Sequence, residues 1–362
     1  MGSAPMRSME GAYFPRLDHV RAVAAFQVYF WHFVHFWVPA SYVPGFFLVS
    51  LLEEGHTGVA LFMTLSGYLF AKLTDGKSIS YPVFLWNRLV RLAPLLSAMF
   101  LYYAYFYGFG WHGLLRGFVF PTGWPSGAWS IAVELHFYIV FPLLVALRRR
   151  LGTGALIACL IFSLSLRAYI WWKTGEVQSA AYWTLIGRLD QFTLGMVFFH
   201  FSASAFVRRH ATFVFLGTLL IFGAFWHLFD RLGGYLFMPS YPSPSALWIV
   251  IPTIEGLAYG ALILSYEYLP YELPRRLSSL LAHVGEVSYS LYLLHFLMIL
   301  EVLKPRISAP SGFWEATAWA LFFFPIVVMA ATVSYYLIER PFLRLRRRYV
   351  RTGGATEATV AA

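Results

Sequence analysis

The chain has one cysteine, Cys159, in 362 residues, so no disulfide framework holds it together. Charge is also scarce. Asp, Glu, Lys and Arg make up 12% of the sequence, whereas a soluble domain carries about 25%. There is no internal repeat, no low-complexity tract and no segment of soluble-domain size. The N-terminal region lacks a short apolar core followed by a small-residue cleavage site, so the first hydrophobic segment is expected to be retained. What is abundant is apolar surface: 59% of residues are hydrophobic and the mean hydropathy is +0.63. That leaves too little polar surface to solvate a globule. An all-α, polytopic membrane protein is the expected class.

Apolar runs of about 17 to 25 residues mark ten candidate spans, at 18–37, 57–73, 92–110, 129–147, 153–172, 183–202, 211–229, 246–266, 284–303 and 316–338. The expected organisation is a cytoplasmic segment over 1–17, an integral-membrane domain over 18–343, and a basic cytoplasmic tail over 344–362 with a disordered end. With both termini inside, the inner segments hold 19 of the 27 basic residues, from Arg7 and Arg16 through Arg148 to Arg150 and Arg346 to Arg348. The outer segments hold Arg116, Lys173, Arg231, Lys304 and Arg306. This asymmetry follows the rule that cytoplasmic loops collect Lys and Arg. It explains the net charge of +10 without nucleic acid and predicts location in the inner or plasma membrane.

Ionisable residues inside such spans are costly and mark function. The first span, LDHVRAVAAFQVYFWHFVH, contains Arg21 and His32. Eleven residues are three helical turns plus about 20°, so the two share one face about 16 Å apart. His32 reads either as a bundle-interior histidine bonded to a backbone carbonyl or as a general base. His35 lies one turn further, and an HxxH pair raises a metal site, but no sufficient further ligands lie at matching depth. No metal is therefore expected. Arg88 and Arg91 are one turn apart in FLWNRLVRLAPLL. They suit either a phosphate-rich ligand or a lipid-headgroup anchor at the inner boundary. Ser66 and Gly67 interrupt the second span, where small residues allow close helix packing or approach of a narrow ligand. The fourth span opens with Trp129 and Ser130 and buries Glu134, a candidate to orient His32, to bind an acceptor or to pair with Arg. Arg188 and Asp190 read as a structural ion pair by default, with Asp190 also a candidate substrate contact. Glu255 and His295 are weaker candidates, and Glu339 reads as structural. Trp111, Trp124 and Trp129 suit either sugar stacking or an interfacial belt.

These segments together resemble the membrane-bound acyltransferase-3 family over about residues 16–345. LDHVRAVAAFQVYFWH resembles its first helix, with the Arg-x10-His signature at Arg21 and His32. HTGVALFMTLSGYLF resembles the second-helix block, and NRLVRLAP the Arg-x-x-Arg element at Arg88 and Arg91. WSIAVELHFYIVFPLL resembles the tryptophan-serine-glutamate block at Trp129, Ser130 and Glu134; VSYSLYLLHF and YYLIERPF resemble the closing blocks. Two departures stand out. Leu135 follows Glu134 where many members have a second acidic residue, and the hydrolase-like domain that some members append is not present. The resemblance implies transfer of an acyl group, commonly acetyl, from cytoplasmic acyl-CoA to a hydroxyl of a glycan, a lipid-linked saccharide or a small secondary metabolite. It implies His32 as base or covalent carrier, with Arg88 and Arg91 meeting the donor's phosphates. The competing class is a transporter relaying protons through His32, Glu134, Arg188 and Asp190; paired halves with matching broken helices are not evident.

Overall fold

The computed structural model describes residues 14–38, 44–236, 238 and 240–352. Most of the 1–17 segment and the end of the basic tail lie outside them. The chain is all-α apart from one small strand pair. In order, the elements are α1 (Pro15–His35), α2 (Phe47–Glu53), α3 (Gly58–Thr74), β1 (Lys77–Ile79), α4 (Tyr81–Tyr107), α5 (Trp111–Val119), α6 (Trp129–Leu151), α7 (Gly154–Thr174) and α8 (Gln178–Trp183). They continue with α9 (Leu185–His200), α10 (Ala205–Arg231), α11 (Ile251–Glu267), α12 (Arg275–Glu286), α13 (Ser288–Leu297), α14 (Phe313–Ser334), α15 (Arg340–Leu343) and β2 (Val350–Thr352).

Each of the ten expected spans falls on a helix. Among the described residues, six of these are long and apolar enough to cross a bilayer, beginning at Gly55, Tyr81, Trp129, Gly154, Ala205 and Phe313. A seventh forms if α12 and the helix from Ser288 to Leu303, bent by 66°, count as one span. The ten-span expectation therefore narrows to six or seven on length and composition. The third span also moves. It starts at Tyr81, not near 92, because Asn87, Arg88 and Arg91 lower the hydropathy of a stretch that is nevertheless helical.

The helix α1 is packed on both sides. Leu17, Val20, Ala24 and Val28 join one core with α3, α4 and α6. Ala25, Tyr29, Phe30 and Phe33 join a second with α13 and α14. Its polar residues therefore meet protein and not lipid, which makes them tolerable at depth. Next to it, α3 and α9 cross with almost no separation. A Cβ placed on Gly67 would lie 2.0 Å from the Phe192 carbonyl oxygen, and one on Gly195 would lie 2.0 Å from that of Thr64. Only glycine permits this approach. Gly67 thus serves close helix packing, the first of the two readings of its position, and does not line the pocket described below.

Buried ions brace the same region. Arg167 pairs with Asp190 at 2.7 Å and also donates to Ile249 and Gly187 carbonyls. Arg188 pairs with Glu255 at 3.1 Å, and Glu255 accepts further bonds from Thr57 and Gln191. The expected Arg188–Asp190 pair does not form. Residues two apart on a helix point to different faces, so each finds a partner on another helix.

After the last long helix the chain folds back. β2 pairs antiparallel with β1, Ile79 opposite Val350. Asn87 exchanges two hydrogen bonds with the backbone of Arg347, at 2.6 and 2.8 Å, and Trp86 Nε1 donates to the Leu345 carbonyl. Residues 344–352 are therefore part of the fold and not a free tail.

Candidate active site

A pocket inside the bundle collects most of the polar side chains singled out from the sequence. Arg21, Ser66, Arg88, Arg91, Ser130 and Glu134 all line it; His32, Gly67, Trp129 and Asp190 do not. Its guanidiniums reach in from two helices. Arg88 and Arg91 lie about 10 and 15 Å along α4 from Tyr81, deeper than the boundary position expected. Arg88 is surrounded by rings, its guanidinium 5.0 Å from the Phe70 centroid and 5.5 Å from that of Phe84, with Tyr138 and Tyr349 beyond. Arg88 Nε is buried with no hydrogen-bond partner, so part of its donor capacity remains for a ligand. Arg21 is tied to Asp18 one turn earlier.

Glu134 supplies the negative charge facing these cations. It accepts from Tyr138 and, at 3.3 Å, from Ser66. No contact joins it to His32, so the partner guessed for the imidazole is not the one found. That partner is His295. His32 Nδ1 lies 2.8 Å from the Val28 carbonyl and 3.1 Å from His295 Nε2, while His295 Nδ1 lies 2.5 Å from the Tyr292 carbonyl. Carbonyls only accept, so each Nδ1 carries its proton. His295 Nε2 is then an acceptor for His32, and His32 Nε2 is left with a lone pair. No hydrogen bond engages that nitrogen among the described residues. Phe296 and Trp31 pack against the ring at 4.3 and 4.8 Å between centroids. An imidazole held by one nitrogen and open at the other is arranged to accept a proton or to attack.

Tyr292 connects the histidine pair to the pocket. Its hydroxyl accepts from Ser130 at 2.6 Å and donates to the Gly127 carbonyl, while its backbone oxygen holds His295. Trp129, next to Ser130, is buried against Trp183 and Tyr182 at 4.6 and 5.0 Å. Its faces are therefore occupied by protein. Trp124 is likewise buried and bonded to the Leu114 carbonyl, whereas Trp111 is exposed. Asp190 is fully enclosed and saturated by Arg167 and Thr253. It supports the core and does not line this pocket.

Sequence reasoning missed Tyr138, Tyr292 and Arg346. The first two are ordinary aromatic residues in aromatic-rich helices. Arg346 lies on the returning segment, between the two residues whose backbones are bonded to α4. Burial and the nearby Arg91 and Arg88 guanidiniums pull its side chain down to about 10. Arg21, Arg88 and Arg91 line the pocket, and Arg346 adds a further positive charge near Arg88 and Arg91; like charges gathered this way create a site for an anion.

Residues 14–339 match the acyltransferase-domain family of the acyltransferase-3 type. A Staphylococcus aureus (strain COL) protein named as an O-acetyltransferase is 23% identical over 91% of this chain. The chain spans only 57% of that relative's length. Nodulation protein 10 of Rhizobium leguminosarum bv. viciae is 24% identical over 92% of this chain and 94% of its own. Acyltransferase MdmB of Streptomyces mycarofaciens is 24% identical over 93% of this chain and 94% of its own. No solved structure matches the chain. With nine-tenths of its length within the family's match, and helices suited to a bilayer around a pocket of arginines, the chain belongs to the acyltransferase-3 family of multi-pass membrane proteins.

Proposed function

We propose that this protein is a membrane O-acyltransferase. It moves an acyl group, acetyl in the simplest case, from cytoplasmic acyl-CoA to a hydroxyl of a carbohydrate-bearing acceptor. Both termini lie on the cytoplasmic side. The donor's phosphates meet Arg88, Arg91 and Arg21, since guanidinium binds phosphate through paired N–H groups. Ser66 and Ser130 contribute hydroxyls to the wall along which the pantetheine arm runs toward His32. The names carried by the relatives, O-acetyltransferase and acyltransferase, support the reaction class.

The observation that carries the mechanism is the tautomer fixed at His32. With Nδ1–H held by Val28 and His295, Nε2 takes the proton of the acceptor hydroxyl as its oxygen bonds to the thioester carbonyl carbon. The carbon–sulfur bond breaks, and the CoA thiolate recovers the proton from the imidazolium. The same lone pair also permits a two-step route, in which Nε2 first carries the acyl group and CoA leaves before the acceptor attacks. Glu134 balances the guanidiniums when the donor is absent. The bilayer and the acyl-CoA are the required partners; no nucleic acid takes part.

The test is acyl transfer from radiolabelled acetyl-CoA by the purified protein in lipid nanodiscs. Acceptors are drawn from cell-surface glycans and extracted metabolites whose acyl mass disappears when the gene is deleted. His32→Ala is expected to lower kcat by about 10²- to 10⁴-fold, the usual contribution of a positioned base, with donor binding retained. Full activity in His32→Ala removes the histidine from the reaction.

A further inference from the structure

Beyond His32, at the opposite end of α1 from Arg21, lies a second buried polar cluster that acyl transfer does not use. The carboxylates of Glu53, Glu54 and Asp230 place ligand oxygens within 4.8 Å of one another. Their residues are only 2%, 2% and 5% exposed. Buried carboxylates take a positive partner, coordinate a metal or give up their charge by protonation, and no lysine or arginine among the described residues pairs with any of the three. The compensating groups at hand are imidazoles. His56, 1% exposed, places Nε2 2.8 Å from Glu54 Oε2. The two atoms touch, but not along the line of a hydrogen bond, and neither has another hydrogen-bond partner. Both oxygens of Asp230 are also without one. On the other flank, His35 Nε2 lies 3.3 Å from Glu53 Oε1.

We propose that Glu53, Glu54, Asp230 and His56 bind one divalent transition-metal ion, with His35 supporting Glu53. The spacing fits this occupant. Two ligands each about 2.0 to 2.1 Å from one ion stand about 2.8 to 3.0 Å apart at a right angle and about 3.3 to 3.4 Å at the tetrahedral angle. The observed 2.8 Å between His56 and Glu54 is such an edge and not a hydrogen bond, whereas His35 Nε2, 3.2 Å from the Glu53 carbonyl oxygen, supports that residue from outside the ligand set. Mixed carboxylate and imidazole donors suit zinc, manganese or iron(II); oxygen-only sets suit magnesium and calcium. The ligands come from the adjoining end of α2 and turn before α3 and from the end of α10, so the ion joins the 53–56 stretch to Asp230, which is distant in sequence. It also lies behind the proposed base. The Trp31 ring packs at once against His32, His35 and His56, at 4.8, 5.1 and 5.8 Å. The ion's role is to fix that wall; it takes no step in the transfer.

The experiment uses the full chain, purified in detergent through a tag that contains no histidine, without chelators. Mass-spectrometric metal analysis is expected to find about one equivalent of zinc, manganese or iron per chain. Dialysis against a chelator lowers the melting temperature, and zinc, but not magnesium, restores it. Asp230→Asn and Glu54→Gln each reduce metal content at least several-fold, while His32→Ala retains it, separating this site from acyl transfer. Metal-free protein whose melting is indifferent to zinc overturns the proposal, and so does a metal content unchanged in both carboxylate variants. If a variant fails to fold, chelation and readdition on the unaltered chain decide.

Discussion

At the Arg21 end of α1 the polar groups entering the bundle are guanidiniums set among aromatic rings, with Glu134 facing them in the pocket and Asp18 paired to Arg21. At the His35 end they are three carboxylates faced by imidazoles. The first arrangement has surplus positive charge and room for an anion; the second has surplus negative charge and spacings suited to a cation. Low dielectric amplifies both preferences. His32 lies between them without a direct ionic partner, since its neighbour is another neutral-capable imidazole. The lesson is that a buried charge excess in a stable bundle reads as the imprint of an absent opposite charge. The sign of the excess identifies what kind of ligand each end takes.

The comparison breaks most visibly if the cationic end is emptied. Arg88→Gln together with Arg91→Gln is expected to raise the donor KM by about 10- to 100-fold for each lost charge-assisted contact. Metal content at the other end should not move. An unchanged donor KM would mean that the guanidiniums face lipid headgroups after all.

Loss at the middle is smaller. His295→Leu removes the acceptor for His32 N–H, so kcat should fall by about tenfold, the worth of one hydrogen bond. The pH profile of kcat should shift with it, and His295→Gln, which retains an acceptor, should recover part of the rate. Equal effects of Leu and Gln would make His295 a packing residue and not a positioning one.

The smallest effect belongs to Arg346. Arg346→Gln should raise the donor KM only several-fold, yet raise the melting temperature of the ligand-free protein by relieving repulsion from Arg88 and Arg91. The pH dependence carries the same sign. Because the folded state holds this proton less tightly than the unfolded chain does, ligand-free stability should rise as pH increases through about 10. A fall in stability across that interval, in wild type but not in Arg346→Gln, would sink the three-arginine site.

Much of this layout is legible in the sequence, for identifiable reasons. Long apolar runs located the helices, because a bilayer imposes a minimum length. The face shared by Arg21 and His32 follows from helical period alone. Hydropathy misplaced the start of α4, since residues lining an internal pocket are polar without ending the helix. The false Arg188–Asp190 pair was avoidable: a separation of two residues excludes it, and Arg167 was available inside a neighbouring span. The His32–His295 contact and the Glu53, Glu54 and Asp230 cluster depend on helix packing. No local pattern announces contacts between residues so far apart in the chain.

The returning strand adds a constraint in time. The wall that carries Arg346 is completed by pairing Val350–Thr352 with Lys77–Ile79, segments made near opposite ends of synthesis. All six candidate membrane helices among the described residues precede β2, so this wall closes only after they are made. Contacts between such distant segments form slowly compared with helix formation.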